Sequence, residues 1–119
     1  MKDEEKPAPV DLKTRTRQFA LRIIRLFAAL PQSEVARVLG KQLLRSGTSV
    51  GAQYREACRA RSPAEFISKL QSRLQELDET AYWFELLQDS GRVPAERLGD
   101  LRDEANELIA IFVASIKTA

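Results

Sequence analysis

The chain has 119 residues, 44% of them hydrophobic and 30% charged, which is typical of one small globular domain. Nineteen basic and 17 acidic side chains leave a net charge of +2, and the sequence contains no histidine. The lack of histidine excludes Ser-His-Asp and Cys-His catalysis, HExxH zinc sites and Glu-x-x-His di-iron sites. A single cysteine excludes an intrachain disulfide and any CxxC motif.

The N-terminal segment, MKDEEKPAPVD, is charged and contains two prolines. We expect residues 1–11 to form a flexible tail ahead of a helical domain at residues 12–119. No apolar stretch that resembles a signal peptide follows this tail. The longest apolar run, from Leu108 to Ala114, is far shorter than the ~20 residues that a transmembrane helix needs. We therefore expect a cytoplasmic protein that does not contact membranes.

Apolar residues recur at helical spacing through the first half of the chain. The first predicted helix runs from about Leu12 to Leu30, where Pro31 ends it. Ser33 is the predicted N-cap of the second helix, which runs from Glu34 to about Ala60. The predicted core face of the first helix contains Leu12, Phe19, Ile23, Leu26, Phe27 and Leu30. The predicted core face of the second contains Leu39, Leu43, Val50, Tyr54 and Ala57.

The second helix contains the weak segment Gly47-Thr48-Ser49-Val50-Gly51, in which each glycine costs about 1 kcal/mol relative to alanine. The helix either breaks at this segment or continues because a neighbouring element requires small residues. At about 100° per residue, Gly40, Gly47 and Gly51 fall on one narrow side together with Cys58. We therefore predict a continuous helix, close packing of a neighbouring helix against the three glycines, and a buried structural thiol at Cys58.

The third helix has the clearest start signal in the chain. Ser62 is the predicted N-cap, Pro63 takes the first helical position, and Glu65 follows the cap by three residues. Gly91 is the predicted C-terminal cap, and Pro94 opens the fourth helix. The predicted core positions are Phe66, Leu70, Leu74, Leu77, Ala81 and Phe84 on the third helix, and Leu98, Leu101, Ala105, Leu108, Phe112 and Ile116 on the fourth.

The order and length of these segments predict the fold class. No stretch alternates strictly between apolar and polar residues, so the pattern favours an all-α chain. Four amphipathic helices with short connections predict an antiparallel up-down-up-down four-helix bundle.

Several blocks of the sequence form a recognisable pattern. They are Val38–Ala52, Tyr54–Ala57, Phe66–Leu70, Tyr82–Trp83 and Leu86–Gly91. Together they closely resemble a family of small bacterial four-helix bundles that includes proteins encoded in intervening sequences of large-subunit ribosomal RNA genes. The accessory proteins of diversity-generating retroelements are related to it and share this fold. The resemblance covers about residues 15–116, although Gln53 stands where asparagine is common in the family.

This resemblance implies an assembly and a set of partners. The family implies a protomer that assembles into a homopentameric ring. For the retroelement members it also implies a basic surface that contacts nucleic acid and a reverse transcriptase. The resemblance therefore implies a self-assembling module with RNA or DNA and a protein as partners.

The charges are divided unevenly along the chain. Residues 10–61 carry 11 basic and 3 acidic side chains, whereas residues 62–119 carry 6 basic and 11 acidic ones. Arginine dominates the basic half, and its planar guanidinium suits phosphate oxygens. The residues expected to contact nucleic-acid phosphates are Arg15, Arg22 and Arg25 on the first helix, and Arg37, Lys41, Arg45, Arg55 and Arg59 on the second.

Two other interpretations of the basic residues remain open. The fourth helix carries an acidic stripe that can neutralise them within a protomer or across a subunit boundary. This stripe is formed by Glu96, Asp100, Asp103, Glu104 and Glu107. The basic residues can also be no more than the solvated face of two amphipathic helices.

A group of large apolar residues lies away from the core face of the third helix. Trp83 and Leu86 project more than ~100° from the centre of that face, and Tyr82 lies at their flank. Aromatic groups in such positions are typical of an oligomer or partner interface. The alternative is that neighbouring helices bury these side chains within the protomer.

The residue patterns favour binding over catalysis. Neither a Gly-rich phosphate loop nor a convergent pair of carboxylates is evident, so we expect no enzymatic activity, no cofactor and no metal site. The favoured function is an oligomeric module that binds RNA or DNA and serves as an adaptor for a protein partner. The alternative is a structural or protein-interaction ring whose charged stripes set the geometry of assembly.

Overall fold

The computed structural model describes residues 11–118, and it folds them into four α-helices without a strand. Helix α1 spans Leu12–Ala28, α2 spans Glu34–Ala57, α3 spans Pro63–Asp89 and α4 spans Ala95–Thr118. The all-α prediction is thus confirmed for the described residues. The predicted flexible tail lies outside them, apart from Asp11.

The predicted end signals of the helices have the expected geometry. The Ser33 side chain accepts a hydrogen bond from the third residue of α2, and Ser62 accepts one from the N–H of Glu65 at 3.1 Å. The Glu65 carboxylate in turn accepts a hydrogen bond from the N–H of Arg61 at 2.7 Å. Gly91 follows the end of α3 with a φ of +77°, the left-handed conformation that a glycine adopts without strain.

One apolar stripe from each helix forms the core. Its largest fully buried side chains are Phe19, Ile23, Leu43, Leu70, Leu77, Phe84, Leu87, Leu98, Leu108 and Phe112. Phe19 of α1 meets Phe84 of α3 edge to face, with ring centroids 6.5 Å apart. Several predicted core positions, including Leu39 and Phe66, are only half-buried at the edge of the core.

Helix α2 is continuous through Gly47 and Gly51, as predicted, and α1 packs directly against its glycines. All three predicted glycines are buried, and a Cβ atom added at any of them would crowd a side chain of α1. The contacts follow reverse order along the two helices. In order along α2 they are Gly40 with Phe27, and with Leu30 just beyond α1, then Gly47 with Ile23 and Gly51 with Thr16.

The prediction of a buried thiol at Cys58 is wrong, because Cys58 is exposed. Helix α2 ends at Ala57, three residues earlier than the sequence predicts, and Cys58 lies at its C-terminal cap. Gly51 contacts Thr16, and Cys58 lies seven residues beyond Gly51. Because contacts between the two helices run in reverse order, the position that would cover Cys58 lies about seven residues before Thr16, ahead of the start of α1 at Leu12. Helix α1 therefore does not extend over this end of α2.

Polar groups join α2 to α3. The hydroxyl groups of Ser46 and Thr80 are hydrogen-bonded at 2.9 Å and are fully buried. Ser49 donates to Glu76 at 3.2 Å, and Lys69 donates to Glu56 at 3.0 Å. These contacts also follow reverse order along the two helices. Among the described residues, no helix is both long enough and apolar enough to cross a membrane.

Candidate nucleic-acid interface

Four of the predicted phosphate-binding residues are exposed on or beside the outer face of α2. Arg37, Lys41 and Arg55 lie on the helix itself. They are separated by about one and about four helical turns, so their side chains project from the same side. Arg59 was predicted on the same helical stripe, but α2 ends before it and it lies in the connection to α3. None of these four side chains takes part in an ion pair within residues 11–118.

Arg15, another predicted phosphate-binding residue, is occupied by carboxylates of α4. Its Nη2 donates to Glu104 Oε1 at 2.6 Å and its Nε donates to Glu104 Oε2 at 3.1 Å. Nη2 also donates to Glu107 at 3.0 Å. The hydrogen bond to Glu104 raises the pKa of the Arg15 guanidinium above its ordinary value. This two-pronged contact links the first helix to the last and leaves Arg15 poorly placed to bind an external anion.

Arg45 is similarly engaged by α3. Its Nη2 donates to Glu79 Oε1 at 2.9 Å, and its Nη1 lies 3.7 Å from Glu76 Oε1. The acidic stripe predicted to neutralise the basic residues therefore acts only in part, since Glu104 and Glu107 engage α1. The acidic partners of Arg45 come from α3 instead, which the sequence pattern did not predict.

The last two predicted residues belong to α1 and lie on its side towards α4. Arg22 and Arg25 line a groove of about 350 Å³ together with Arg97 and Asp100 of α4. Arg97 was not among the predicted residues, because it lies in the acidic half of the chain. Asp100 lowers the positive charge of this groove, which makes it a weaker anion site than its three arginines alone would suggest.

A second groove, of about 410 Å³, lies between α1 and α2 and is lined by more cations than the sequence analysis identified. Lys13 and Arg17 of α1 line it together with Arg55 of α2. Sequence reasoning missed Lys13 and Arg17 because it sought the basic side of α1 around Arg15. The glycines of α2 indicate which side of α2 packs against a neighbouring helix, but they do not reveal which side of α1 faces α2.

The predicted apolar patch is partly exposed. Tyr82 has 52% of its surface exposed, whereas Trp83 and Leu86 are half-buried and Trp83 packs against the core. The two aromatic rings are 5.3 Å apart. The indole nitrogen of Trp83 is buried without a hydrogen-bond partner. Val38 of α2 is 55% exposed. Because the contacts between α2 and α3 run in reverse order, the first part of α2, which contains Val38, lies opposite the end of α3.

No group of three or more acidic or cysteine side chains within residues 11–118 is arranged to hold a metal ion. Tyr54 packs against Phe112 with ring centroids 5.8 Å apart, and burial raises the pKa of its phenol to about 12. At neutral pH the phenol is therefore protonated and contributes to packing at the edge of the core.

The chain is similar to known proteins in both sequence and fold. A family model described as 23S rRNA-intervening sequence protein matches residues 10–114. The chain is also similar to the crystal structure of a protein of unknown function from the S23 ribosomal protein family of Bacteroides thetaiotaomicron. The two share 39% sequence identity and a TM-score of 0.83, over 89% of this chain and 98% of that chain. No curated protein matches the sequence.

Proposed function

The chain belongs to the family of 23S rRNA-intervening sequence proteins, and from this premise we propose that it is a non-enzymatic, oligomeric module whose α1–α2 face binds RNA or DNA. The observation that supports the proposal is the separation of charge between pairs of helices. Helices α1 and α2 carry nine basic and two acidic side chains, whereas α3 and α4 carry five basic and eleven acidic ones. A surface with this asymmetry attracts polyanions.

The ion pairs refine which residues carry the function. Arg15 and Arg45 donate to carboxylates of α4 and α3, so their charges are largely compensated within the protomer. Arg37, Lys41, Arg55 and Arg59 project into solvent and are the better candidates from the original set. Phosphate contacts from such side chains provide affinity that does not depend on nucleic-acid sequence.

The proposed assembly is a homopentameric ring of up-down-up-down protomers. The reverse order of the contacts between α1 and α2, and between α2 and α3, supports an antiparallel arrangement. The apolar group formed by Val38, Tyr82, Trp83 and Leu86 supports a subunit contact, since its exposed part offers apolar surface to a neighbour. By the resemblance to retroelement accessory proteins, the ring also serves as an adaptor for a protein partner such as a reverse transcriptase.

Binding to mixed-sequence RNA and DNA at low salt tests the function. The wild-type chain is expected to bind both, with an affinity that falls steeply as salt rises. Changing Arg37, Lys41 and Arg55 to Glu is expected to weaken binding by at least about tenfold. Changing Arg92, Arg97 and Lys117 to Glu is the matched control, because it alters net charge equally on exposed residues outside α1 and α2.

Each outcome of this test decides between the candidate functions. A wild-type chain that fails to bind at low salt would show the proposal to be wrong. Equal losses in the two variants would mean that net charge, and not the α1–α2 face, governs binding.

A second candidate is a protein-interaction ring whose charges serve assembly and which binds no nucleic acid. The pairing of Arg15 and Arg45 with carboxylates of the same protomer favours it, because it removes two of the predicted phosphate contacts. Light scattering on Val38→Glu tests the assembly separately, because this exposed position is not needed for the protomer core. Loss of the oligomer with unchanged helix content supports the apolar contact. An unchanged oligomer would exclude Val38 from the interface.

A further inference from the structure

The groove between α1 and α2 is bordered by short side chains and has room for one extended chain. Gly47 and Gly51 bring the two helices close together, and the outer edge of this contact carries only short side chains. These are Ala20 of α1, and Thr48 and Ala52 of α2. Longer side chains at these positions would fill the groove, so its volume of about 410 Å³ follows from the residues along its floor.

Cations surround this groove on both sides. Lys13 and Arg17 are four residues apart on α1 and therefore project from the same side, while Arg55 faces them from α2. Among residues 11–118, no acidic side chain lines the groove, in contrast to the α1–α4 groove with its Asp100. A concave surface with charge of one sign concentrates the electrostatic potential and so attracts an anion more strongly than a flat surface does.

We propose that this groove holds the phosphodiester backbone of a single nucleic-acid strand, with Lys13, Arg17 and Arg55 as the residues that contact its phosphates. The inference rests on the proposed function and assigns it to one place and one ligand chemistry. The axes of packed helices lie roughly 8–10 Å apart, so the surface furrow above their contact is narrow enough for one phosphodiester backbone and does not admit both strands of a duplex.

The lining also defines how the strand is recognised. The described part of the chain places no aromatic side chain along the groove, so its lining offers bases no surface on which to stack. The Thr48 hydroxyl donates to the carbonyl of Leu44 at 2.6 Å and is therefore not free to donate to a base edge. Contacts restricted to phosphate and sugar position a strand without reading its sequence.

The test uses the full chain and a fluorescently labelled, mixed-sequence single-stranded RNA. The groove variant changes Lys13, Arg17 and Arg55 to Gln, and the matched control changes Arg61, Arg92 and Lys117, which lie outside α1 and α2, to Gln. All six residues are exposed, so both variants are expected to retain wild-type helix content by circular dichroism. Binding is measured as a function of salt for the wild type and for each variant.

The salt dependence distinguishes loss of the groove cations from an equal loss of positive charge elsewhere on the molecule. For single strands the slope of log affinity against log salt is about −0.7 per phosphate contacted. Removal of three contacts is therefore expected to reduce the magnitude of the slope by about 2 in the groove variant, with a change below about 0.7 in the control. Equal changes in the two variants, or a larger change in the control, would overturn the assignment to the groove.

Competitors test the chemistry of the occupant. The same RNA annealed into a duplex is expected to compete more weakly than the single strand, and poly-glutamate is expected to compete more weakly than either. Equal competition by poly-glutamate would mean that the groove is a site for any polyanion, and equal competition by the duplex would exclude the single-strand assignment. If the wild-type chain binds no RNA at all, the proposed function fails; if it binds but the groove variant is unaffected, only this inference fails.

Discussion

Gly47 is the glycine of α2 at which an added Cβ atom would overlap a side chain of α1 most severely. A Cβ atom added there would overlap the Cδ1 atom of Ile23, which is fully buried and has little room to move. Gly99 of α4 has open space around the corresponding position. The sequence predicts that Gly47 requires a small side chain, but it cannot identify Ile23 as the partner because the offset between two helices depends on how all their side chains interlock.

Gly47→Ala is expected to destabilise the protein by about 1 kcal/mol, because overpacking outweighs the gain in helix propensity. In an Ile23→Val background the conflicting Cδ1 atom is gone, and the same substitution is expected to stabilise by up to about 1 kcal/mol. Denaturant unfolding of the four chains measures both effects.

Gly99→Ala provides the control, with an expected gain of about 0.5–1 kcal/mol. If Gly47→Ala had the same effect in both backgrounds, the close approach to Ile23 would not be the reason for the glycine.

At the scale of whole elements, α2 and α3 are joined by buried hydroxyl groups as well as by apolar contacts. Thr80 Oγ1 donates to the carbonyl of Glu76 at 2.8 Å, and Ser46 Oγ lies 2.9 Å from Thr80 Oγ1. Ser46 can therefore donate to Thr80 in this pair. The sequence predicts the apolar stripes of both helices but not this pair, because serine and threonine are mostly exposed in proteins and nothing in the pattern marks these two as buried.

Thr80→Val is expected to destabilise the protein by about 1–2 kcal/mol, because it leaves the buried hydroxyl of Ser46 without its better partner. Adding Ser46→Ala removes that unpaired hydroxyl group. The free energy of unfolding of the double variant is therefore expected to lie between those of the wild type and Thr80→Val. Urea unfolding of both single variants and the double variant completes the cycle. Strictly additive losses would show that the two hydroxyl groups do not depend on each other.

At the scale of the whole molecule, ion pairs between helices determine which cations remain available to a ligand. The uneven division of charge along the chain could be read from the sequence and survives in the folded protein. The pairing of Arg15 with Glu104 could not, because it depends on where α1 and α4 converge in three dimensions. The same applies to Lys13 and Arg17, whose importance follows only from their position beside α2.

Glu104→Gln is expected to lower the free energy of unfolding by about 1–2 kcal/mol, because it removes the charged acceptor of a two-pronged contact. The side chain of Glu104 is 17% exposed, whereas that of Glu107, which contacts the same arginine, is 64% exposed. Glu107→Gln is therefore expected to cost less than about 0.5 kcal/mol. Thermal unfolding at low and moderate salt measures both, and equal losses would contradict a special role for Glu104.

The exposed thiol of Cys58 gives the unmodified chain a single natural attachment point for a probe. It lies one turn beyond Arg55, at the end of α2 over which α1 does not extend. A dye attached there would sense a strand that leaves the groove without displacing any of its cations. In a closed ring, identical dyes on neighbouring subunits would exchange excitation energy. The resulting depolarisation of their emission would report how many labelled subunits lie close together.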